Sequence, residues 1–245
     1  MGKKYELTDI KIEVFGKTLF RIKALRDIKR FGVEKGDLGG YIEKEKNLGH
    51  DGDSWVYGNA SVYDDAEVYG NACVYGDASV YGNAEVYGDA EVYGNARVYG
   101  DARVYGDSEV FDNARVYGNA EVFGGVGVYG DARVFGNTWV YGDARVFGNA
   151  EVFGDAEVFG DVWVFGDARV FGNADVIWLN SIGSRYETIM AFRTKDGAIW
   201  IKCGCFTGTL DEFKAKVEET HGDNKFGREY KAAIELIKIH CGKEK

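Results

Sequence analysis

A valine recurs every six residues along the middle of the chain, from Val56 to Val176, without an insertion or a deletion. It defines 21 units of the form Val-Tyr/Phe-Gly-Asn/Asp-Ala-x. A fixed period of this kind is typical of repeat architectures. In Ala-x-Val-Tyr, the alternation of a β-strand sends Ala and Val inward and x and the aromatic residue outward. Gly and the following Asn or Asp predict a corner, because these residues tolerate left-handed backbone angles.

Three units make a coil of 18 residues, so the repeat predicts seven coils. With strands about 4.8 Å apart, the rod would be roughly 30 Å long. The unit resembles the hexapeptide of the left-handed parallel β-helix family, and the resemblance implies the left-handed winding. We therefore predict a mainly β fold, a left-handed parallel β-helix, over residues 51–178.

The flanks predict a cap at each end of this rod. Residues 1–50 carry two strand-like runs, 5–14 and 18–25, around a turn at Gly16, and we interpret them as an N-terminal β cap with an entry coil. A solenoid needs such a cap because its end exposes core and strand edges. Residues 179–245 predict a C-terminal ββαα unit: a hairpin over 185–206, a capping box at Thr209 and Glu212 that opens a helix to about 220, and a second helix over about 228–239.

Several flank segments resemble a group of phage- and prophage-encoded hexapeptide-repeat proteins. The segments are Leu25-Arg26-Asp27, residues 35–40, Asp51-Gly52-Asp53 and residues 203–213. The resemblance implies a viral or mobile-element setting more than an activity.

Charge is distributed unevenly around a net charge of −10. Residues 51–177 carry 6 Lys/Arg against 22 Asp/Glu, whereas residues 1–50 carry 12 against 8 and residues 178–245 carry 12 against 10. About half of the acids in the rod occupy the corner position, where Asp alternates with Asn, so turn chemistry explains them better than mimicry of nucleic acid. We do not expect binding to duplex nucleic acid. The N-terminal residues lack the apolar run of a signal peptide and no segment has the roughly 18 apolar residues of a membrane span, which favours the cytoplasm of the host cell.

Outward residues 18 apart stack in three columns, which we name after their most common or largest side chains. The Trp face carries Trp55, Cys73, Glu91, Glu109, Gly127, Arg145 and Trp163. The Arg face carries Ser61, Ser79, Arg97, Arg115, Arg133, Glu151 and Arg169. The Glu face carries Glu67, Glu85, Arg103, Glu121, Trp139, Glu157 and Asp175.

The Arg face is the candidate ligand site. A bare column of like charges should lower stability, yet guanidinium groups stacked among aromatic rings suit planar anionic ligands such as nucleotides. The candidate ligand-binding residues are Arg97, Arg115, Arg133, Arg169, Tyr99 and Tyr117. The competing interpretation is that the long arginine stems cover neighbouring rings on a solvated face.

A second surface is a candidate interface. Its residues are Trp139, Phe147, Trp163 and Phe165, in the part of the rod where the corner aromatic changes from Tyr to Phe. Exposed Phe columns usually indicate a covered surface. We expect the C-terminal unit or another subunit to cover them, and we expect a homo-oligomer.

Candidate chemistry is sparse. Acyltransferases of the β-helix family use a histidine base and an extruded loop, but the histidines here are His50, His221 and His240, all in the flanks, and no insertion breaks the repeat. Cys203, Cys205 and His221 are weak candidates for zinc ligands, against the alternative of a small buried cysteine pair. We predict no cofactor.

These patterns favour a non-catalytic binding protein of phage type. It would sequester a nucleotide-like ligand or block a host defence protein. The first alternative is an acyltransferase-like hexapeptide-repeat enzyme, and the second is a structural virion or scaffold protein.

Overall fold

The valine repeat forms a parallel β-solenoid of about seven turns in the computed structural model, which describes residues 2–242. The expected mainly β fold with a C-terminal α+β unit is confirmed. Every repeat valine from Val56 to Val170 has 0% of its surface exposed. Burial of a valine side chain is worth roughly 1.5–3 kcal/mol, so this column is the main source of stability in the rod.

Residues 18 apart pair in parallel register, as in Val98 with Val116 and Val116 with Val134. The glycines at the corners allow the backbones of adjacent coils to approach each other closely. Gly100 has a φ of +76°, and a Cβ there would lie 3.0 Å from the nitrogen of Gly118. Asp64 and Asp112 occupy the same corner position at φ values of 61° and 59°, in the left-handed region that Asp tolerates better than most residues.

The strands of each coil are two to four residues long and build the three faces. Those of the Arg face are β5 Ser61–Val62, β8 Ser79–Gly82, β11 Arg97–Gly100, β14 Arg115–Gly118, β17 Arg133–Gly136, β20 Glu151–Val152 and β23 Arg169–Val170. Those of the Trp face are β4 Trp55–Val56, β7 Cys73–Val74, β10 Glu91–Val92, β13 Glu109–Val110, β16 Gly127–Val128, β19 Arg145–Val146 and β22 Trp163–Val164. Those of the Glu face are β6 Glu67–Val68, β9 Glu85–Val86, β12 Arg103–Tyr105, β15 Glu121–Gly124, β18 Trp139–Gly142 and β21 Glu157–Phe159.

The N-terminal segment extends the Arg-face sheet, as a cap should. Strands β1 Tyr5–Val14, β2 Lys17–Ala24 and β3 Leu38–Ile42 pair in that order, and β3 pairs in parallel with β5. Short 3-10 helices lie at Lys29–Phe31 and Glu45–Asn47. Leu19 packs with Tyr41 and Tyr63, so the cap also covers the first ring of the Arg-face column.

A lysine is fully buried in this cap. The Lys4 ammonium donates to the backbone oxygen of Ser54 at 2.7 Å and to its hydroxyl oxygen at 2.9 Å. Burial, assisted by the nearby Arg26 charge, lowers the pKa of Lys4 from 10.5 to about 8. A charged amine is therefore less favourable in the folded protein than in the unfolded chain.

This pKa predicts a specific pH dependence of stability. A lysine whose pKa is lower when folded binds fewer protons in the folded state, so stability rises as pH rises from 8 towards 10.5. Between pH 8 and 9.5 we expect the free energy of unfolding of the wild type to rise by about 1.5 kcal/mol relative to Lys4→Met. Urea unfolding at both pH values measures this. Lys11→Met, at an exposed position, is the matched control and should track the wild type.

The C-terminal unit has four strands, so the expected ββαα arrangement is wrong in its strand count. β24 Val176–Ile182, β25 Glu187–Arg193, β26 Ile199–Cys203 and β27 Phe206–Thr209 form an antiparallel sheet in sequence order. A short 3-10 helix at Asn173–Asp175 precedes it. The first strand continues the apolar sequence of the rod and crosses the expected boundary at 178/179. The fourth strand follows a two-residue turn, Gly204-Cys205, that also ends the predicted hairpin.

Two helices pack on this sheet. Helix α1 Leu210–His221 begins at the predicted capping box, in which the Thr209 hydroxyl accepts from the Glu212 amide. Helix α2 Lys225–Cys241 begins three residues before the expected start, because the Asn224 side chain caps it by accepting from the Gly227 amide. Met1 and residues 243–245, the outer ends of the two expected flanking segments, lie outside the described residues. Neither helix in residues 2–242 has the length and apolar character needed to cross a membrane.

Candidate anion-binding face of the solenoid

Strands β11, β14 and β17 place three arginines directly above one another on the Arg face. Arg97 pairs in register with Arg115, and Arg115 with Arg133. All three side chains are exposed. Neighbouring strands lie about 4.8 Å apart, so the three side chains form a column about 10 Å long, which we call the Arg ladder.

Two members of the Arg ladder have no carboxylate partner in the part of the chain that the structure describes. Within 4.0 Å of a carboxylate oxygen, salt bridges form at Arg133 but not at Arg97 or Arg115. Arg103 on the Glu face provides the contrast, since it lies between Glu85 at 3.8 Å and Glu121 at 3.6 Å. The middle of the Arg face therefore carries positive charge that the rod itself does not neutralise.

On the other two faces, one recurring hydrogen bond links outward tyrosines and glutamates of consecutive coils. A tyrosine hydroxyl donates to the glutamate 16 residues later, as from Tyr69 to Glu85 at 2.8 Å and from Tyr75 to Glu91 at 3.0 Å. The same pairing joins Tyr93 to Glu109, Tyr105 to Glu121 and Tyr141 to Glu157. On the Arg face, the residues 16 positions after Tyr81, Tyr99 and Tyr117 are the arginines of the ladder.

Two of those tyrosines, Tyr81 and Tyr117, lie close enough to the guanidinium groups to be influenced by their charge. Burial raises the pKa of Tyr81, while Arg97 and Arg115 oppose that shift. Burial likewise raises the pKa of Tyr117, with Arg133 and Arg115 opposing it. These two phenols stay protonated at neutral pH, so Tyr81 and Tyr117, both partly buried, add hydroxyl groups rather than negative charge to the Arg ladder.

The aromatic rings of the Arg face stack on one another, not on the arginines. Tyr81, Tyr99 and Tyr117 follow each other with ring centroids 4.9 Å apart and planes within 1°. The column continues from Tyr117 to Phe135 at 4.7 Å. Within residues 2–242, none of the three ladder guanidinium groups lies over a ring. For these three arginines the expected stacking of guanidinium groups among rings is therefore wrong, because the ring faces are covered by the rings of neighbouring coils.

Arg169 lies apart from the ladder. Glu151 separates it from Arg133 and contacts both, at 3.8 Å and 3.6 Å. The Arg169 guanidinium also lies over the Phe153 ring at 4.9 Å. Glu151 further contacts Lys195 of the C-terminal unit at 3.4 Å, so this residue ties the Arg face to that unit.

Glu151 predicts a measurable contribution to stability. Its side chain is 16% exposed, whereas its three partners are 43–51% exposed, so solvent screening reduces each pair. We expect Glu151→Gln to lower the free energy of unfolding by about 1 kcal/mol, because three cations lose their common counter-charge. Urea unfolding in 1 M salt should show a smaller difference. Glu109→Gln, which keeps an acceptor for Tyr93, should change stability little.

The expected interface residues divide into a covered group and an exposed one. Phe165 packs edge-on against Phe192 of the C-terminal unit at 5.1 Å, and Trp163 packs edge-on against Phe147 at 6.1 Å. The Lys202 ammonium lies over the Trp163 ring at 5.9 Å. The C-terminal unit thus covers this end of the Trp face. Trp139 on the Glu face stays 51% exposed.

The weak zinc candidates line one cavity but are not arranged as ligands. Cys203, Cys205 and His221 border a space of about 410 Å³ beside helix α1. Cys203 ends strand β26 and is buried, which raises the pKa of its thiol, whereas Cys205 lies exposed in the turn. The alternative of a small buried cysteine pair is therefore wrong, because Cys205 is exposed. No three His, Cys, Asp or Glu side chains in residues 2–242 are placed to hold a metal ion.

The histidines make contacts inside the flanks. His50 stacks on Tyr5 at 4.5 Å, and His221 stacks on Tyr230 at 5.4 Å. The Nε2 of His240 lies 2.9 Å from the Asn173 oxygen and 3.1 Å from the Val176 oxygen, which fastens the end of α2 to the rod.

The corner acids have a role that sequence reasoning missed. Corner asparagines donate from their side-chain amide to the corner residue of the next coil, as from Asn83 to Asp101 at 2.8 Å and from Asn137 to Asp155 at 3.0 Å. A corner Asp that lies 18 residues after a corner Asn therefore accepts a hydrogen bond from the side-chain amide of that Asn. The spacing of 18 between such pairs is the signal that could have revealed this ladder.

Comparison with known proteins supports the repeat architecture. The YdcK beta solenoid repeat family matches residues 90–106 and 128–142, which include strands of all three faces. No curated protein matches the chain.

Proposed function

We propose that this protein is a non-catalytic binding protein whose Arg ladder holds the anionic groups of a partner. The observation that carries the proposal is that Arg97 and Arg115 are exposed, in register and without a carboxylate within 4.0 Å among the described residues. Guanidinium groups form strong charge-assisted, often bidentate, hydrogen bonds with carboxylates and phosphates.

The Arg ladder lacks the regular pairing of outward polar side chains that is found elsewhere on the rod. Elsewhere glutamates accept from tyrosines, corner acids accept from asparagines, and Arg103 lies between two glutamates. Like charges in adjacent strands are destabilising. A column of like charges lowers stability, and here two of the three guanidinium groups have no carboxylate partner among the described residues. An external ligand explains this arrangement more readily than folding does.

The geometry favours an extended acidic surface over a free nucleotide. The ring faces that could stack on a base are covered by neighbouring rings. The three guanidinium groups lie in a row on a flat, open strand face. Such a row fits several carboxylates or phosphates presented side by side, so blocking of a host protein is the stronger version of the proposal. Sequestration of a nucleotide-like ligand is the weaker version.

The acidic corners contribute selectivity. Asp101 and Asp131 border the Arg face, and the rod around the ladder is strongly acidic. At physiological salt their field is screened beyond about 8 Å, whereas contacts at the ladder are direct. A partner must therefore place its acidic groups over the ladder itself, in direct contact with the guanidinium groups.

The proposal also includes a phage-type setting for the protein. It rests on the flank segments at residues 25–27, 35–40, 51–53 and 203–213. In that setting a rigid rod would act on a component of the host cell, and assembly as a homo-oligomer would present several Arg ladders at once.

A labelled hexaglutamate peptide tests the ladder directly. We expect it to bind the full-length protein at 150 mM salt, and we expect Arg97→Ala/Arg115→Ala to weaken binding at least about tenfold, since a hydrogen bond to a charged group is worth about 1.5–3 kcal/mol. Fluorescence anisotropy measures both. Arg103→Ala/Arg145→Ala removes the same charge from the other faces and should bind like the wild type. Equal weakening by both double variants would contradict a specific site.

Two further probes separate the alternatives. Stronger binding of ATP than of hexaglutamate, lost in the Arg97→Ala/Arg115→Ala variant, would favour nucleotide sequestration over the protein partner. Turnover of acetyl-coenzyme A with a small amine acceptor would instead favour the acyltransferase-like alternative, and stoichiometric recovery with purified particles would favour the structural one.

A further inference from the structure

A cavity separates the last coil of the rod from the β25–β26 hairpin. Its volume is about 500 Å³, within the range of roughly 300–1,000 Å³ typical of small-molecule sites. The lining residues are Phe165, Gly166, Asp167, Phe192, Thr194, Lys195, Asp196 and Trp200. The rod and the C-terminal unit each supply part of this wall, so the site exists only when both are folded against each other.

Three aromatic rings form the apolar side of the cavity. Phe165 and Phe192 meet edge to face, with centroids 5.1 Å apart and planes 72° apart, and Trp200 lines the same space. Two nearby rings already have a guanidinium group over them. Arg145 lies over Trp163 at 5.6 Å, and Arg169 lies over Phe153 at 4.9 Å. In residues 2–242 no Lys or Arg lies over the rings of Phe165, Phe192 or Trp200.

Two carboxylates form the polar side. Asp167 is exposed and accepts from the Asn149 amide at 3.1 Å. Asp196 accepts from the Thr194 hydroxyl at 2.5 Å and from the Ala198 amide at 3.1 Å, and these bonds lower the pKa of its carboxyl, so it is ionised at neutral pH. The one cation of the lining, Lys195, has its ammonium 3.4 Å from Glu151, a carboxylate that also contacts Arg133 and Arg169. The lining therefore carries two carboxylates against one ammonium group.

We propose that this cavity binds a small organic cation bearing a quaternary or alkylated ammonium group. Aromatic rings arranged around a space attract such a cation through their negative faces, and nearby carboxylates add Coulomb attraction. An anion in the cavity would be repelled by the carboxylates of Asp167 and Asp196. This site differs in ligand charge from the Arg ladder and goes beyond the function proposed for it.

Choline and its neutral carbon isostere, 3,3-dimethylbutan-1-ol, test the proposal on the full-length protein. Calorimetric titration at pH 7.5 should show choline binding about tenfold more tightly than the isostere, the range expected for cation–π attraction. Equal affinity for the two would overturn the proposal, because the cavity would then recognise shape and apolar surface only. Absence of choline binding would also overturn it.

Variants place the binding in this cavity. Trp200→Ala should weaken choline binding about tenfold, and Trp200→Phe, which keeps a ring, should weaken it less. Should Trp200→Ala fail to fold, Asp167→Asn still tests the site, since an Asn oxygen can accept from Asn149 while the charge is removed; a fall of about threefold is expected. Asp131→Asn is the matched control, because Asp131 accepts from Asn113 at the same 3.1 Å two coils away. An equal fall in Asp131→Asn and Asp167→Asn would overturn the assignment.

Discussion

Replacement of Val98 by aspartate is expected to abolish cooperative folding of the solenoid. Val98 is fully buried and pairs with Val80 and Val116 in the neighbouring coils. Its partners in the adjacent coils are themselves buried valines, so a carboxylate there would lie in an apolar interior without water. Burying an unpaired polar group costs roughly 2–7 kcal/mol, and an ionised one more. That is comparable with the total stability of a typical domain, about 5–15 kcal/mol.

The neighbouring residue supplies a control with the same new side chain. Arg97→Asp places aspartate outward, one residue earlier on the same strand, beside Arg115. We expect Arg97→Asp to unfold at the wild-type temperature or above it. Circular dichroism during thermal unfolding distinguishes the two variants. A cooperative transition of Val98→Asp near the wild-type temperature would contradict the inward assignment of the repeat valines.

Replacement of Arg115 by glutamate is expected to stabilise the rod and to abolish anion binding. Arg115 lies between Arg97 and Arg133, so the change turns two repulsive neighbours into two attractive ones. Cross-strand pairs of charges are worth roughly 0.2–1 kcal/mol each. A gain of about 1 kcal/mol raises the midpoint of thermal unfolding by about 2–4 °C in a protein of this size. Binding of hexaglutamate should fall at least about tenfold, because a carboxylate then replaces the central guanidinium.

The two opposite effects distinguish a binding site from a structural column. If the arginines served only to cover neighbouring rings, removing Arg115 would lower stability through lost packing. Arg103→Glu is the matched control, since Arg103 lies between Glu85 and Glu121 and its reversal should lower stability. A lower midpoint for Arg115→Glu, with hexaglutamate binding unchanged, would show that the ladder is structural.

The sequence predicts the rod well because one short period determines nearly all of its contacts. Each valine repeats the environment of the one 18 residues earlier, so the inward and outward positions follow without knowledge of distant residues. The N-terminal strands were predicted at 5–14 and 18–25 and are found at Tyr5–Val14 and Lys17–Ala24. Their apolar runs and the turn at Gly16 are local signals.

Contacts between side chains in different coils or units were harder to predict. The stacking of the Arg-face rings depends on side-chain rotamers, which alternation does not specify. Glu151 contacts Lys195 across 44 positions of sequence, and no periodic signal connects them. The aromatic cavity likewise combines Phe165 of the rod with Trp200 of the C-terminal unit. The count of strands in that unit was wrong by two. The first strand continues the apolar pattern of the rod, and the fourth follows the predicted hairpin after a turn of only two residues.

Native mass spectrometry of protein purified from its natural host tests the central claim, that the Arg ladder holds an anionic partner. The experiment compares the wild type with Arg97→Ala/Arg115→Ala and with Arg103→Ala/Arg145→Ala, which carry equal net charge. The account predicts additional mass on the wild type and on the second variant, and its loss from the first. Additional mass retained equally by all three proteins, or absent from the wild type, would contradict it.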